Sequence, residues 1–251
     1  MNRDATGLAG VRHLAYEALG STNAEALALA RAGERGPLWI TAARQSAGRG
    51  RRGNEWVSPP GNLYATLLLG EPAPPRAAAQ LSFVAALGLH DAVSAVAPPL
   101  APRLKLKWPN DLLLDGDKLA GILIEGESMP AFAVAVGIGV NCASHPDGTL
   151  HPATDLAAAG ATATPAQVFA ALAPAMADRL AQWQAGQGFA SIRSDWLDRA
   201  SGLGEPIKVR LPDKELAGRF AGLDADGRLL LEGAAGVSAI AAGDVFPMEA
   251  R

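Results

Sequence analysis

The sequence predicts an α+β domain followed by a small all-β module. Three observations carry that expectation. Strand-like and helix-like segments intermingle as far as Ser201, the strands from Leu104 onward follow one another across tight turns, and from about Gly204 only short strands separated by turns remain. The 251 residues suffice for one large domain, or for a domain and a small module. A boundary is therefore expected between Ser201 and Gly204, giving a domain over 1–203 and a module over 204–251.

After a short polar leader, Val11 to Leu19 reads as a strand, and Thr22-Asn23-Ala24-Glu25 has the form of a capping box opening an Ala/Leu-rich helix that ends near Gly33. Leu38 to Ala43 is a short apolar strand. The stretch from Arg44 to Gly61 is too rich in Gly, Arg and Pro for a regular element, and Asn62 to Leu69 resumes as a strand. Leu81, Val84, Ala85, Leu89, Ala92, Val93 and Val96 fall at helical spacing, which predicts a helix over Arg76 to Val96 that stops at Pro98-Pro99. Leu104 to Lys107, Leu112 to Leu114, Lys118 to Glu125 and Ala131 to Val140 then read as antiparallel strands. Gln167 to Gln187 and Phe189 to Ala200 predict two further helices. Ile207 to Leu211, Leu216 to Leu223, Arg228 to Leu231 and Val237 to Ala241 are spaced like the strands of a small barrel.

Composition excludes several classes. Hydrophobic residues make up 49% and charged residues 19%, far from the signature of disorder. Lys plus Arg is 22 and Asp plus Glu 25, a net charge of −3 spread along the chain, which argues against a duplex DNA binder led by a basic surface. Cys142 is the only cysteine, so an intramolecular disulfide and a zinc site built on several thiolates are both excluded. The first residues lack an apolar signal region, and the longest apolar stretch, from Phe83 to Ala101, is broken by His90, Asp91, Pro98 and Pro99. A soluble protein of a reducing, cytoplasmic compartment is expected, with neither nucleic acid nor membrane as partner.

Gly48-Arg49-Gly50-Arg51-Arg52-Gly53 formally matches G-x-G-x-x-G, the dinucleotide fingerprint, but that motif requires a helix to open directly after it. The residues that follow, Asn54 to Gly61, contain Pro59-Pro60 and lead to a strand. What remains is a glycine-rich loop whose guanidiniums offer forked donors to phosphate or carboxylate, with Trp56 able to cover a planar ligand; the plainer reading is a solvated basic loop.

Lys107-Trp108-Pro109-Asn110-Asp111 sits at a strand-to-turn junction and Lys118 at the mouth of the next strand. Turn chemistry and a hairpin end explain them locally, yet a lysine followed by Gly121, where backbone can approach closely, would also hold a point charge against an acyl phosphate. Gly137 and Gly139, in an apolar strand that ends at Asn141, suggest either a bulge or something packed tightly on the strand. Ser21-Thr22-Asn23 is accounted for by capping and also forms a natural anion or amide pocket. His13, His90, His145 and His151 show no metal spacing and read as structural or surface residues. P-loop, zincin and serine-hydrolase motifs are absent.

Taken in order, Ser21-Thr22-Asn23, Gln45 with the Gly48 to Gly53 loop and Trp56, Lys107-Trp108-Pro109-Asn110-Asp111, Lys118-Leu119-Ala120-Gly121-Ile122-Leu123 and Gly137-Ile138-Gly139-Val140-Asn141 resemble the biotin protein ligase family. The resemblance covers nearly the whole chain. It implies a catalytic domain like those of class II aminoacyl-tRNA synthetases and lipoate ligases, with a mixed, largely antiparallel sheet, and a C-terminal SH3-like barrel. It also implies a two-step ligase reaction. Biotin and ATP, with Mg2+, give biotinyl-5′-AMP and pyrophosphate, and a lysine of a biotin carboxyl carrier protein domain of a carboxylase then takes the biotinyl group and releases AMP.

Carried over residue by residue, the resemblance puts Ser21, Thr22, Asn23, Gln45, Gly48, Arg49, Gly50, Arg51, Lys118 and Gly121 at the biotin pocket. It puts Arg51, Arg52, Trp56, Asn110, Lys118 and Asn141 at the ATP or adenylate, with Lys118, Arg49 and Arg51 carrying the chemistry. Magnesium ligands are left unassigned. Two departures stand out. About twenty residues precede Ser21, too few for the winged-helix domain of repressor-type members, and Asn54-Glu55 replaces a basic residue common in the loop. The competing readings are a lipoate or octanoate ligase or transferase and a non-catalytic biotin sensor; monomer and homodimer are both compatible with the sequence.

Overall fold

A computed structural model describes residues 10–128, 131–149 and 151–248; the polar leader lies outside them. Along the chain run β1 (Arg12–Leu19), α1 (Thr22–Arg31), β2 (Leu38–Gln45), β3 (Leu63–Gly70), α2 (Leu81–Val96), β4 (Leu104–Lys107), β5 (Asp111–Leu114), β6 (Asp117–Glu127) and β7 (Ala133–Val140). They are followed by α3 (Pro165–Trp183), α4 (Phe189–Leu197), β8 (Pro206–Arg210), β9 (Glu215–Leu223), β10 (Leu229–Gly233), β11 (Gly236–Ile240) and β12 (Asp244–Pro247).

The first seven strands form one sheet in the order β1-β2-β3-β7-β6-β5-β4. Only β1 and β2 are parallel, so the sheet is mixed and largely antiparallel. Its central strands are continuous apolar runs because helices cover both faces: every residue of β3 from Leu63 to Leu69 is buried. On one face Ala26 and Ala30 of α1 pack on Leu38, Ile40, Leu68 and Ala135. The other face carries α2, α3 and α4, where Phe83 meets Phe189 and Trp196 edge-on at 5.6 and 5.5 Å between ring centroids. The remaining five strands make a second, antiparallel sheet in the order β11-β10-β9-β8-β12.

Three local expectations need correction. The helix cap is Ser21, whose Oγ accepts the Ala24 N–H at 3.4 Å, so Thr22 and Asn23 are the first helical residues and the Thr22/Glu25 box does not form. Thr22 Oγ1 donates instead to Gln45 Oε1. The predicted helix to Ala200 stops at Leu197, because Leu106 donates to the Arg199 carbonyl and accepts from Ser201, drawing that backbone onto β4. The strand β12 escaped the sequence reading altogether. It is four residues long and ends in proline, and its pairing with β8 holds it.

Asn62 closes the turn beyond β7. Its Oδ1 accepts the N–H groups of Cys142, Ala143 and Ser144 at 2.8, 2.9 and 3.3 Å, while Nδ2 donates to the Ser144 carbonyl at 2.8 Å. At 4% exposure little water can replace these bonds. Asn62→Ala should therefore lower the unfolding free energy by about 2–3 kcal/mol, with Asn62→Asp costing less because the acceptor survives. Urea unfolding checks this, and a loss below about 0.5 kcal/mol for the alanine variant would contradict the assigned role.

Candidate active site

The site forms where β6 and β7 lack side chains. A methyl group at Gly137 would lie 2.3 Å from Asn23 Oδ1, and one at Gly139 would lie 2.5 Å from Trp56 Nε1. Those glycines let the start of α1 and the indole of Trp56 settle on bare backbone. The strand is not bulged there, since β6 and β7 pair without interruption from Ala120↔Val140 to Glu127↔Ala133. Of the two readings of these glycines, close packing is the one realised.

At one end of this floor, buried polar side chains satisfy one another. Gln45 Oε1 accepts from the backbone N–H and the hydroxyl of Thr22 at 2.8 and 3.1 Å, and Gln45 Nε2 donates to Ser58 Oγ at 3.0 Å. Thr66 Oγ1 lies between Thr22 Oγ1 at 2.8 Å and Asn23 Oδ1 at 2.7 Å. Asn23 Nδ2 donates to Glu125 Oε2 at 2.9 Å. A network locked in this way is preorganised for a small polar group with both donors and acceptors.

The glycine and arginine loop arches over the floor. Arg49 and Glu55 pair as an isolated bridge, Gly50 N–H donates to the Asn54 carbonyl at 2.7 Å, and Arg52 takes a left-handed φ of 56° in the turn between them. The three guanidiniums diverge. Arg49 reaches Glu125 at 2.9 Å and Arg52 reaches Asp244 of β12 at 2.9 Å, while Arg51 meets only the neutral Asn110 Oδ1, at 3.1 Å, among the described residues. Burial, then repulsion from Arg52, pushes the Arg51 pKa below its ordinary value. A cation so placed gains from an incoming anion.

Lys118 is aimed by a break in strand register. Residues 118 and 121 of a regular strand would face opposite sides, but β6 slips against β5 between Leu112↔Ala120 and Leu113↔Lys118. The bulge turns Lys118 onto the side of Gly121, where its Nζ stands 2.7 Å from Asp111 Oδ1 and 5.4 Å from the centroid of the Trp56 ring. Asn110 is fixed by its Nδ2 on the Ile122 carbonyl at 2.7 Å. Asn141 braces the neighbouring chain, giving Nδ2 to the Thr154 carbonyl at 3.0 Å. Backbone around Ala153 pairs beside Lys118 and brings His151 to the site.

These groups enclose a cavity of about 420 Å³. Ser21, Thr22, Asn23, Gln45, Arg49, Gly50, Arg51, Trp56, Asn110, Lys118, Gly121 and Asn141 all line it. Gly48 and Arg52 do not: Gly48 packs against the Trp56 carbonyl and Ser58, and Arg52 pairs with Asp244, which does line the cavity. The sequence reading missed Thr66, Glu125, His151 and Asp244, each of which meets its partner only through long-range folding. No cluster of three or more His, Cys, Asp or Glu side chains able to hold a metal ion occurs among the described residues.

Trp39, Trp108, Trp183 and Trp196 are at most 3% exposed, which leaves Trp56 as the tryptophan open to solvent-borne quenchers. Gly139→Ala should push the indole off the floor, raising the fraction of tryptophan emission quenched by acrylamide without loss of the folded state. An unchanged quenching curve would contradict the packing of Trp56 on Gly139.

Residues 21–141 match the biotin/lipoate A/B protein ligase family, and residues 202–247 match the biotin protein ligase C terminal domain. The chain is 49% identical over 237 residues to a biotin–[acetyl-CoA-carboxylase] ligase of Paracoccus denitrificans, over 90% of this chain and 96% of that one. It is 32% identical over 234 residues to the corresponding ligase of Mycobacterium tuberculosis, over 90% and 85% of the two chains. The solved structure of the Aquifex aeolicus biotin protein ligase in complex with biotin and ATP shares the α+β fold with a TM-score of 0.80, at 23% identity, over 94% of this chain and 99% of that one. On this sequence and fold evidence, the chain belongs to the biotin protein ligase family.

Proposed function

We propose that the chain is an ATP-dependent ligase that activates biotin as biotinyl-5′-AMP and transfers biotin to a lysine of a biotin carboxyl carrier domain of the acetyl-CoA carboxylase type. One observation carries this reading: a single cavity joins the neutral polar side chains of Ser21, Thr22, Asn23 and Gln45 to the cations Arg49, Arg51 and Lys118. The neutral end suits the cyclic urea of biotin, which presents two N–H donors and a carbonyl. The cationic end suits its carboxylate and the phosphates of ATP.

In the first step a biotin carboxylate oxygen attacks the α-phosphorus. A new O–P bond forms, the bond from that phosphorus to the bridging oxygen breaks, and pyrophosphate leaves. Two anions approach each other, so fixed positive charge must already stand between them. Lys118, aimed by Asp111, and Arg51, held by Asn110, supply it. Trp56, whose Nε1 is buried against Gly139, presents the rest of its ring to the cavity as a wall for the adenylate. Magnesium enters with ATP as part of that substrate.

In the second step the acceptor amine attacks the acyl carbon, loses a proton as the amide forms, and AMP departs. The chain contributes no nucleophile of its own. An acyl adenylate hydrolyses when wet, and the Gly48 to Gly53 loop, pinned at Glu125 and Asp244, covers it. The chemistry is assigned to residues 1–203, the barrel to 204–251, and the reaction to the cytoplasm, without nucleic acid or membrane.

Biotin-dependent exchange of labelled pyrophosphate into ATP tests the first step. Lys118→Ala should slow exchange by about 10²-fold or more, and because it also leaves the buried Asp111 carboxylate unpaired, thermal melting of the same variant separates lost chemistry from lost folding. Exchange at the wild-type rate would remove Lys118 from the chemistry. Arg51→Gly should keep exchange but release biotinyl-5′-AMP to solvent at least about tenfold faster, by loss of a charge-assisted contact. Unchanged release in a trapping assay would contradict the retention role, and exchange driven by lipoate instead of biotin would overturn the substrate.

A further inference from the structure

From the cavity a column of cations and rings runs into the second sheet; within it Lys107 Nζ lies 5.8 Å from the centroid of the Phe246 ring. Lys107 Nζ lies 3.0 Å from Nδ1 and 3.2 Å from Nε2 of His151. An ammonium at both distances in the ring plane would overlap Cε1, so it stands over the imidazole face. His151 stacks on Phe246 of β12, with centroids 4.5 Å apart and planes tilted by 26°. The guanidinium carbon of Arg210, on β8, lies 4.7 Å from the centroid of the Phe246 ring. Both Lys107 and His151 line the cavity.

Resting on the function proposed above, we propose that His151 is a positioning residue: with Phe246 behind it, its ring holds Lys107 over the cavity as a further cation for the triphosphate of the nucleotide. A neutral imidazole presents a π face that attracts the ammonium, whereas a protonated one would repel it. The pairing therefore requires His151 to stay neutral at physiological pH.

The surroundings meet that requirement. Burial, followed by the charge of Lys107, brings the His151 pKa down to about 4; Lys118 acts in the same direction, and Asp111 and Asp244 oppose it. Lys107 is itself brought down to about 8, chiefly by burial and also by Lys118, against Asp111 and Asp244. Arg210 adds a further cation against the Phe246 ring. Near pH 7 the imidazole is neutral and Lys107 is largely charged. Raising the pH through about 8 discharges Lys107 and removes its attraction for phosphate. Taking away the ring removes a π face that favours the charged amine but also opens Nζ to water; burial is the largest cause of the lowered Lys107 value, so its relief outweighs the lost attraction and carries that limb upward.

The test uses the full chain saturated with biotin, measuring MgATP affinity by calorimetry and MgATP KM in pyrophosphate exchange across pH 6.5–9.5. In the wild type MgATP affinity should fall above pH 8. His151→Ala should move this alkaline limb up by about one pH unit or more and raise KM several-fold at neutral pH, with little change in kcat. His151→Phe, which keeps a π face against Phe246, should retain both limb and KM, while Phe246→Ala should resemble His151→Ala. An unmoved limb in His151→Ala, or equal damage from Phe and Ala at this position, would overturn the proposal. Thermal melting confirms that each variant is folded. A wild type that binds MgATP with the expected limb but catalyses no exchange would refute the ligase reading and leave the column standing; exchange with an unmoved limb in His151→Ala would do the reverse.

Discussion

At Gly137 and Gly139 the backbone of β7 runs so close to Asn23 and Trp56 that a methyl group at either position would stand 2.3 or 2.5 Å from their side-chain atoms. The rest of the site depends on that proximity. Because α1 begins on the strand itself, Thr22 and Asn23 enter a network with Gln45, Thr66 and Glu125 that holds each of them in one orientation. Because Trp56 lies on the same floor, the loop before it is drawn across the cavity, with Arg49 and Arg51 in the lining. Close-packed backbone does here what a larger side chain could not, which is to leave room above a sheet that is covered on both faces elsewhere.

Positive charge at the site is held in three different ways. Arg49 and Arg52 are paired to carboxylates on other elements, Lys118 is paired yet aimed inward by a bulge, and Arg51 rests on a neutral amide. The outer pairs are partly exposed and contribute little to stability, so their effect is to fix the loop. The inner cations are the ones whose energy changes when an anion arrives. This division suits a reaction that brings a carboxylate against a phosphate, since charge that is already placed needs no reorganisation as the bond forms.

Much of this was legible in the sequence where the signal is local. Helical spacing of Leu81 to Val96, the proline stop beyond it, and the turns at Trp108 to Asp111 and Asp115 to Asp117 identify elements that the structure contains. The glycines of β7 announce a close approach, although not what approaches. Legibility fails where pairing across the fold decides. Asn23 and Glu125 are 102 residues apart, Lys107 and His151 are 44 apart, and Arg52 and Asp244 are 192 apart; no local pattern joins them. Asp244 was invisible for a second reason, since β12 is too short to show a period and exists through its pairing with β8. The capping of α1 failed differently: both Ser21 and Thr22 can cap, and the bond that Gln45 offers to Thr22 leaves the cap to Ser21.

The central claim is that the neutral and cationic ends of one cavity join biotin to AMP. Its most direct test is a calorimetric titration of biotin with and without MgATP, followed by mass spectrometry of what remains bound. Biotinyl-5′-AMP retained by the protein after incubation with both substrates is the predicted result. Biotin bound but chemically unchanged in the presence of MgATP would contradict the claim and reduce the cavity to a binding site.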